Sequence, residues 1–157
     1  MTATPLLSFD LERTYPAPPE RVWNAFTQAE LLQRWICPDP DWSVSTCEVD
    51  AREGGGYRVR FGPRPAGDAY SETATFAVFE PVTRLVLDVL IEGENMSERS
   101  LCTVFLRPAE GGTRLELTVE GLPDPETVKN MRVGWTWCLE GIAEHLGLPF
   151  THPATDA

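Results

Sequence analysis

The sequence contains a single lysine, Lys129, and only two histidines, His145 and His152. Neither histidine stands where a nucleophilic triad built on Ser8, Ser43 or Ser100 would be suspected. The four cysteines, Cys37, Cys47, Cys102 and Cys138, show no Cys-x-x-Cys spacing and no paired histidine. This argues against zinc and thioredoxin-type chemistry and reads as buried, reduced thiols in a cytoplasmic protein. No apolar run approaches the ~20 residues of a membrane span. Residues 1–8 lack the basic-then-apolar order of a secretion signal. Positive charge is scarce too: 24 acidic residues against 13 basic ones give a net charge of -11. Phosphate backbones and anionic lipid surfaces repel such a chain, so no nucleic acid and no integral membrane contact is expected. Gly54-Gly55-Gly56 has neither the lysine nor the strand-to-helix context of a phosphate loop, and reads as a turn. No metal, nucleotide or other cofactor is expected.

What the sequence does have is core. Hydrophobic residues make up 42% and aromatic residues 10%, with five tryptophans, which excludes a disordered chain. At 157 residues, one domain is expected, over 9–148, between tails at 1–8 and 149–157. The last of these is expected to be frayed. The preference for arginine over lysine fits both cross-strand pairing with carboxylates and the codon bias of a GC-rich bacterial genome.

Phe9 and Leu11 alternate with Asp10 and Glu12, a half-buried strand ending near Tyr15. Pro16, Pro18 and Pro19 stop it, and a short helix is predicted over 20–26. Thr27-Gln28-Ala29-Glu30 has the form of a capping box opening a second short helix that carries Leu31, Leu32 and Trp35. Between 43 and 120 the hydrophobic period is two. Strands are predicted at 44–49, 57–61, 70–79, 84–91, 100–106 and 113–120, the last pair joined at Gly111-Gly112. Asp124-Pro125 opens a long helix whose Val128, Met131, Trp135, Cys138, Leu139, Ile142 and Leu146 form an apolar stripe, with Gly147 as its cap. The expected fold is α+β: a curved antiparallel seven-stranded sheet around the C-terminal helix, with two short helices after the first strand.

Several of these segments have a family look. Tyr15-Pro16-Ala17-Pro18-Pro19-Glu20-Arg21-Val22-Trp23, Leu32 with Trp35, and Gly54-Gly55-Gly56-Tyr57 come first. Phe79-Glu80-Pro81-Val82-Thr83-Arg84-Leu85, Gly111-Gly112-Thr113-Arg114-Leu115 and Gly134-Trp135 follow in order. Together they resemble the START-like helix-grip superfamily (SRPBCC), in the branch similar to the C-terminal domain of the heat-shock protein 90 ATPase activator. The resemblance runs from about Phe9 to Leu146. It implies a deep apolar cavity between sheet and long helix. It carries over no catalytic residue, because the family mixes carriers, cyclases, dehydratases and other proteins without a shared motif.

Three functions follow as expectations. The first is a carrier or sensor of a hydrophobic small molecule, lipids included, and not an enzyme. The second is a cyclase- or dehydratase-like enzyme acting on an aromatic or polyketide-like substrate. The third is a stress-related co-chaperone. It ranks last because the activator's separate N-terminal chaperone-binding domain has no room in this chain. A homodimer is compatible with all three.

Ligand contacts are expected from Tyr57, Phe61, Tyr70, Glu72, Phe76, Leu87, Met131, Trp135 and Leu139, on the concave sheet face and the facing helix stripe. Glu72 shares its parity with Tyr70 and Phe76 and is expected inward, where burial raises a carboxyl pKa and suits it to general acid work. Arg60 and Asp88 are expected outward. Trp135 is expected in the core, at a cost of roughly 3–5 kcal/mol if emptied to alanine. Trp23, Trp35 and Trp42 are expected to cluster around the short helices. Trp137 cannot share a helix face with Trp135, and reads as a partner anchor or a residue packed under a loop. His145 is expected as a cation favourable to the helix dipole.

Overall fold

The computed structural model describes residues 6–148. Its elements, in chain order, are β1 (Leu7–Tyr15), α1 (Pro19–Thr27), α2 (Ala29–Trp35), β2 (Trp42–Asp50), β3 (Gly56–Pro63), β4 (Tyr70–Glu80), β5 (Arg84–Gly93), β6 (Met96–Ala109), β7 (Gly112–Leu122) and α3 (Pro125–His145). The strands form one antiparallel sheet in the order β1-β7-β6-β5-β4-β3-β2. From β2 to β7 every strand pairs with its chain neighbour, whereas β1 closes onto β7. The chain between β1 and β2 therefore crosses from one sheet edge to the other, and α1 and α2 lie on that crossing. The expected C-terminal tail lies outside the described residues, as do residues 1–5 of the N-terminal one.

The inner face of the sheet is buried by strict alternation: Tyr57 and Val59 on β3, Leu85, Leu87 and Val89 on β5, Leu115, Leu117 and Val119 on β7. The outer face carries cross-strand ion pairs, among them Arg99 with Asp88 at 3.2 Å and Arg114 with Glu12 at 3.0 Å. Asp88 and Arg60 both face outward, Arg60 being exposed. A β-bulge between Phe76 and Val78 shifts the pleat by one residue. Phe79 thereby joins the inner aromatics, 5.5 Å from Phe76 and 5.1 Å from Trp23. The strand expected to begin at 100 begins at Met96, because Glu94 and Asn95 alone turn β5 into β6.

Helix ends follow their local chemistry, with one correction. Asp124 caps α3 by accepting from the Thr127 amide at 2.7 Å. Gly147, at φ +93°, closes it: its own N–H reaches the Glu144 carbonyl at 3.0 Å and that of Leu148 reaches Ala143 at 2.9 Å, a Schellman motif. The capping box expected at Thr27 does not form. Thr27 is the last residue of α1, and its hydroxyl donates to the Trp23 carbonyl at 3.1 Å, so Gln28 starts α2 without a side-chain cap.

The long helix is gripped by its C-terminal half only. Leu139, Gly141, Ile142, Ala143 and Leu146 are buried, while Val128, Met131, Trp135 and Cys138 on the same stripe are half-buried. The Tyr15 hydroxyl, buried at the end of β1, donates to the Leu139 carbonyl at 2.9 Å, and Arg13 meets Glu140 at 3.2 Å. Beside them Gly141 lies on Trp35 so closely that a Cβ would stand 3.1 Å from Trp35 Cβ and 3.2 Å from its Cα. Trp35 is itself fully buried, with Nε1 donating to the Ala25 carbonyl at 2.7 Å and Phe26 packed edge-on at 4.9 Å. The tryptophans do not form one cluster: Trp23 joins Phe79, Trp35 joins Phe26 and Trp135, and Trp42 joins Phe61 and Tyr70. At His145 burial, then Arg34 and Arg21, push the pKa below the ordinary imidazole value, against the cation that the helix dipole would favour.

Two glycines on α3 should respond oppositely. Gly134→Ala, where a Cβ meets nothing within 4 Å, should stabilise by about 0.5–1 kcal/mol through helix propensity. Gly141→Val should destabilise by roughly 1–3 kcal/mol, because α3 must lift off α2. Urea unfolding of both variants checks the pair. The same assay should place Trp35→Ala near the 3–5 kcal/mol of an emptied core aromatic, and half-buried Trp135→Ala clearly below it, contrary to the sequence expectation.

Candidate functional site

Where α3 stands off the sheet, a cavity of about 390 Å³ remains. Strand register builds its floor. Val59, Glu72, Ile91 and Glu98 lie opposite one another on β3, β4, β5 and β6, one row across the inner face. Neighbouring strands are ~4.8 Å apart, so the two carboxylate-bearing residues stand about 10 Å apart with Ile91 between them. The next row contributes Val89 and Ser100. At the β2 side Phe61 and Trp42 form the wall, with Tyr70 stacked on both at 5.8 and 5.4 Å. The Tyr70 ring crosses over Gly93, where a Cβ would come within 2.6 Å of it.

Helix α3 supplies the roof from two adjacent stripes. Met131, Trp135 and Cys138 form one, Asn130, Gly134 and Trp137 the other, each at i, i+4, i+7. Ile36, Cys37, Pro38 and Asp39, between α2 and β2, complete the rim. Asp39, Asn130 and Gly134 are exposed, so the cavity opens to solvent between that segment and the helix.

Of the residues named from sequence, Phe61, Glu72, Met131 and Trp135 line this space. Tyr57 lies directly behind it, donating its hydroxyl hydrogen bond to Glu72. Tyr70 backs the aromatic wall. Phe76, Leu87 and Leu139 are not among the lining residues and are buried in the core, below 5% exposed, which is a correction of their expected role. Trp137 is a second correction: it borders the same cavity as Trp135, because two neighbouring stripes of one helix both reach the opening. Glu98 was missed for want of the β6 extension, whereas Ser100, at the start of the predicted strand, was signalled by parity with Cys102 and Val104. Val89 and Ile91 were signalled by parity with Leu87, whereas the 36–39 rim has no periodic signal in the sequence.

Electrostatics single out Glu72. It is 9% exposed, and burial raises its carboxyl pKa while the Tyr57 hydrogen bond pulls it partly back. Burial first, then Glu72, raise the Tyr57 hydroxyl well above the ordinary phenol value, so the proton stays on tyrosine oxygen. Cys37 and Cys138 also line the cavity, both free, and burial pushes both thiols up, away from the thiolate that nucleophilic chemistry needs. Three of the four cysteines are half-buried rather than buried; only Cys102 is in the core. Among the described residues no three His, Cys, Asp or Glu side chains gather to hold a metal ion. His145, the one histidine among them, does not line the cavity.

A curved antiparallel sheet, a long C-terminal helix and a cavity between them define a START-like helix-grip protein. The chain belongs to the family of activator of Hsp90 ATPase homolog 1-like proteins, which it matches over residues 16–147. Among solved structures it is similar to a Chromobacterium violaceum protein (27% identity, TM-score 0.78, covering 90% of this chain and 98% of that one). A Rhizobium loti protein is 31% identical, with TM-score 0.74 over 88% of this chain and 96% of that one. The activator of Hsp90 ATPase homolog 1-like protein from Aeromonas hydrophila, at 23% identity, shares the fold, with TM-score 0.74 over 94% and 99%. No curated protein matches the chain in sequence. No helix among the described residues is long and apolar enough to cross a membrane.

Glu72 makes stability depend on pH in a stated direction. A carboxyl whose pKa the fold raises stabilises fully below the ordinary carboxylate range, and that contribution is lost as pH rises through the raised value. Each tenfold weakening of the acid removes about 1.4 kcal/mol at neutral pH. Glu72→Gln keeps an acceptor for Tyr57 without the charge. Denaturation across pH 4–8 should show the variant gaining on the wild type as pH increases.

Proposed function

We propose that the protein is a cytoplasmic carrier or sensor that binds a hydrophobic small molecule between the sheet and α3. The observation that carries this reading is the cavity itself: about 390 Å³, open to solvent, walled by Phe61, Trp42, Trp135 and Trp137. A ligand site of this kind is mostly apolar, with a few polar groups that fix orientation, and Glu72, Ser100 and Asn130 stand in those positions. Gly134 supports it further, as a helix residue without a side chain where the roof meets open space.

A second reading, a cyclase- or dehydratase-like enzyme, is favoured by the Tyr57–Glu72 pair. A carboxyl whose pKa burial raises, inside an apolar cavity, is moved towards the proton-bearing form a general acid requires. The co-chaperone role suggested by the family name has no specific observation in its favour.

Native mass spectrometry of freshly purified protein should reveal a retained apolar ligand. Tryptophan fluorescence should change saturably on titration with fatty alcohols, flavonoids or polycyclic aromatics. Gly134→Leu, which puts a side chain into the opening, should weaken that binding at least about tenfold while the fold is kept. Undiminished binding in Gly134→Leu would place the ligand elsewhere.

A further inference from the structure

We infer that the occupant of the cavity carries a positive charge: an amine or amidine on an aromatic or aliphatic body. This rests on the ligand-binding reading above and names the ligand's class. Three carboxylates border the space, Glu72 and Glu98 on the floor and Asp39 at the mouth, and among the described residues no arginine, lysine or histidine lines it. Two cations nearby are engaged elsewhere. Arg64, close enough to influence Cys37, holds its Nε on the Pro40 carbonyl at 3.0 Å, and Arg132 lies over the Phe9 ring at 5.1 Å.

Glu72 is the centre of the argument. It is nine-tenths buried, its hydrogen-bond donor is the neutral Tyr57 hydroxyl, and among the described residues no cation contributes to its titration. A carboxylate so placed lacks a counterion, and an ammonium entering the cavity supplies one together with charge-assisted hydrogen bonds. The walls suit the same chemistry. Phe61, Trp42, Trp135 and Trp137 border the space, and aromatic rings attract cations when water is excluded. A fatty acid or other carboxylate ligand meets the opposite situation: three like charges at the site and a chain of net charge -11 around it.

The test uses three probes with one body and three headgroups: 1-naphthylmethylamine, 1-naphthalenemethanol and 1-naphthoate, titrated calorimetrically at neutral pH. The amine should bind about tenfold or more tighter than the alcohol, and the naphthoate most weakly. Glu72→Gln should bring the amine-to-alcohol ratio towards one. If Glu72→Gln fails to fold, the ratio is read in Glu98→Gln, at the half-buried end of the same row, where it should fall as well. Alcohol or naphthoate binding as tightly as the amine, or an amine preference that survives in the folded variant, overturns the inference while leaving a ligand cavity. Should none of the three bind, the ligand-binding reading itself fails, and this inference with it.

Discussion

The contact on which the rest of the molecule depends is the close seating of Gly141 on Trp35. It fixes α3 against α2 near the helix C-terminus, and the neighbouring Tyr15 and Arg13 tie the same stretch to β1. A straight helix held at one end over a twisted sheet cannot follow that sheet along its whole length. Its N-terminal half therefore departs from the inner face, and the half-buried state of Met131, Trp135 and Cys138 is the result. The cavity is what remains between a pinned rod and a curved surface.

That geometry explains a polar residue in an otherwise apolar interior. Packed against helix, Glu72 would be an unpaired buried charge of the kind proteins rarely tolerate. Beneath an opening, with Tyr57 as donor, it can hold its proton or meet a ligand. The polar groups of the floor and mouth and the aromatics of the walls thus belong to one arrangement, in which a small molecule completes the packing that α3 leaves unfinished.

The outer face follows simpler rules. Its arginine–glutamate and arginine–aspartate pairs are exposed and individually weak. They keep the solvent face of a seven-stranded sheet charged and its register unambiguous, since a one-residue slip would turn Leu115, Leu117 and Val119 to water.

Much of the fold was legible in the sequence because it rests on local chemistry. Period-two alternation marked all seven strands, Pro16 to Pro19 and Asp124-Pro125 marked helix starts, and Gly147 marked a helix end. The inward position of Glu72 followed from parity with Phe76 within one strand. What tertiary structure alone decided is which inward residues face a void and which face each other. Phe76, Leu87 and Leu139 share the pattern of Phe61 and Trp135, yet the first three are sealed in the core and the last two border open space. Periodicity reports which side of an element is apolar, but not how far away the opposing element lies. That distance was set by Gly141 on Trp35, a contact between residues 106 positions apart in the chain, and no local pattern encodes it.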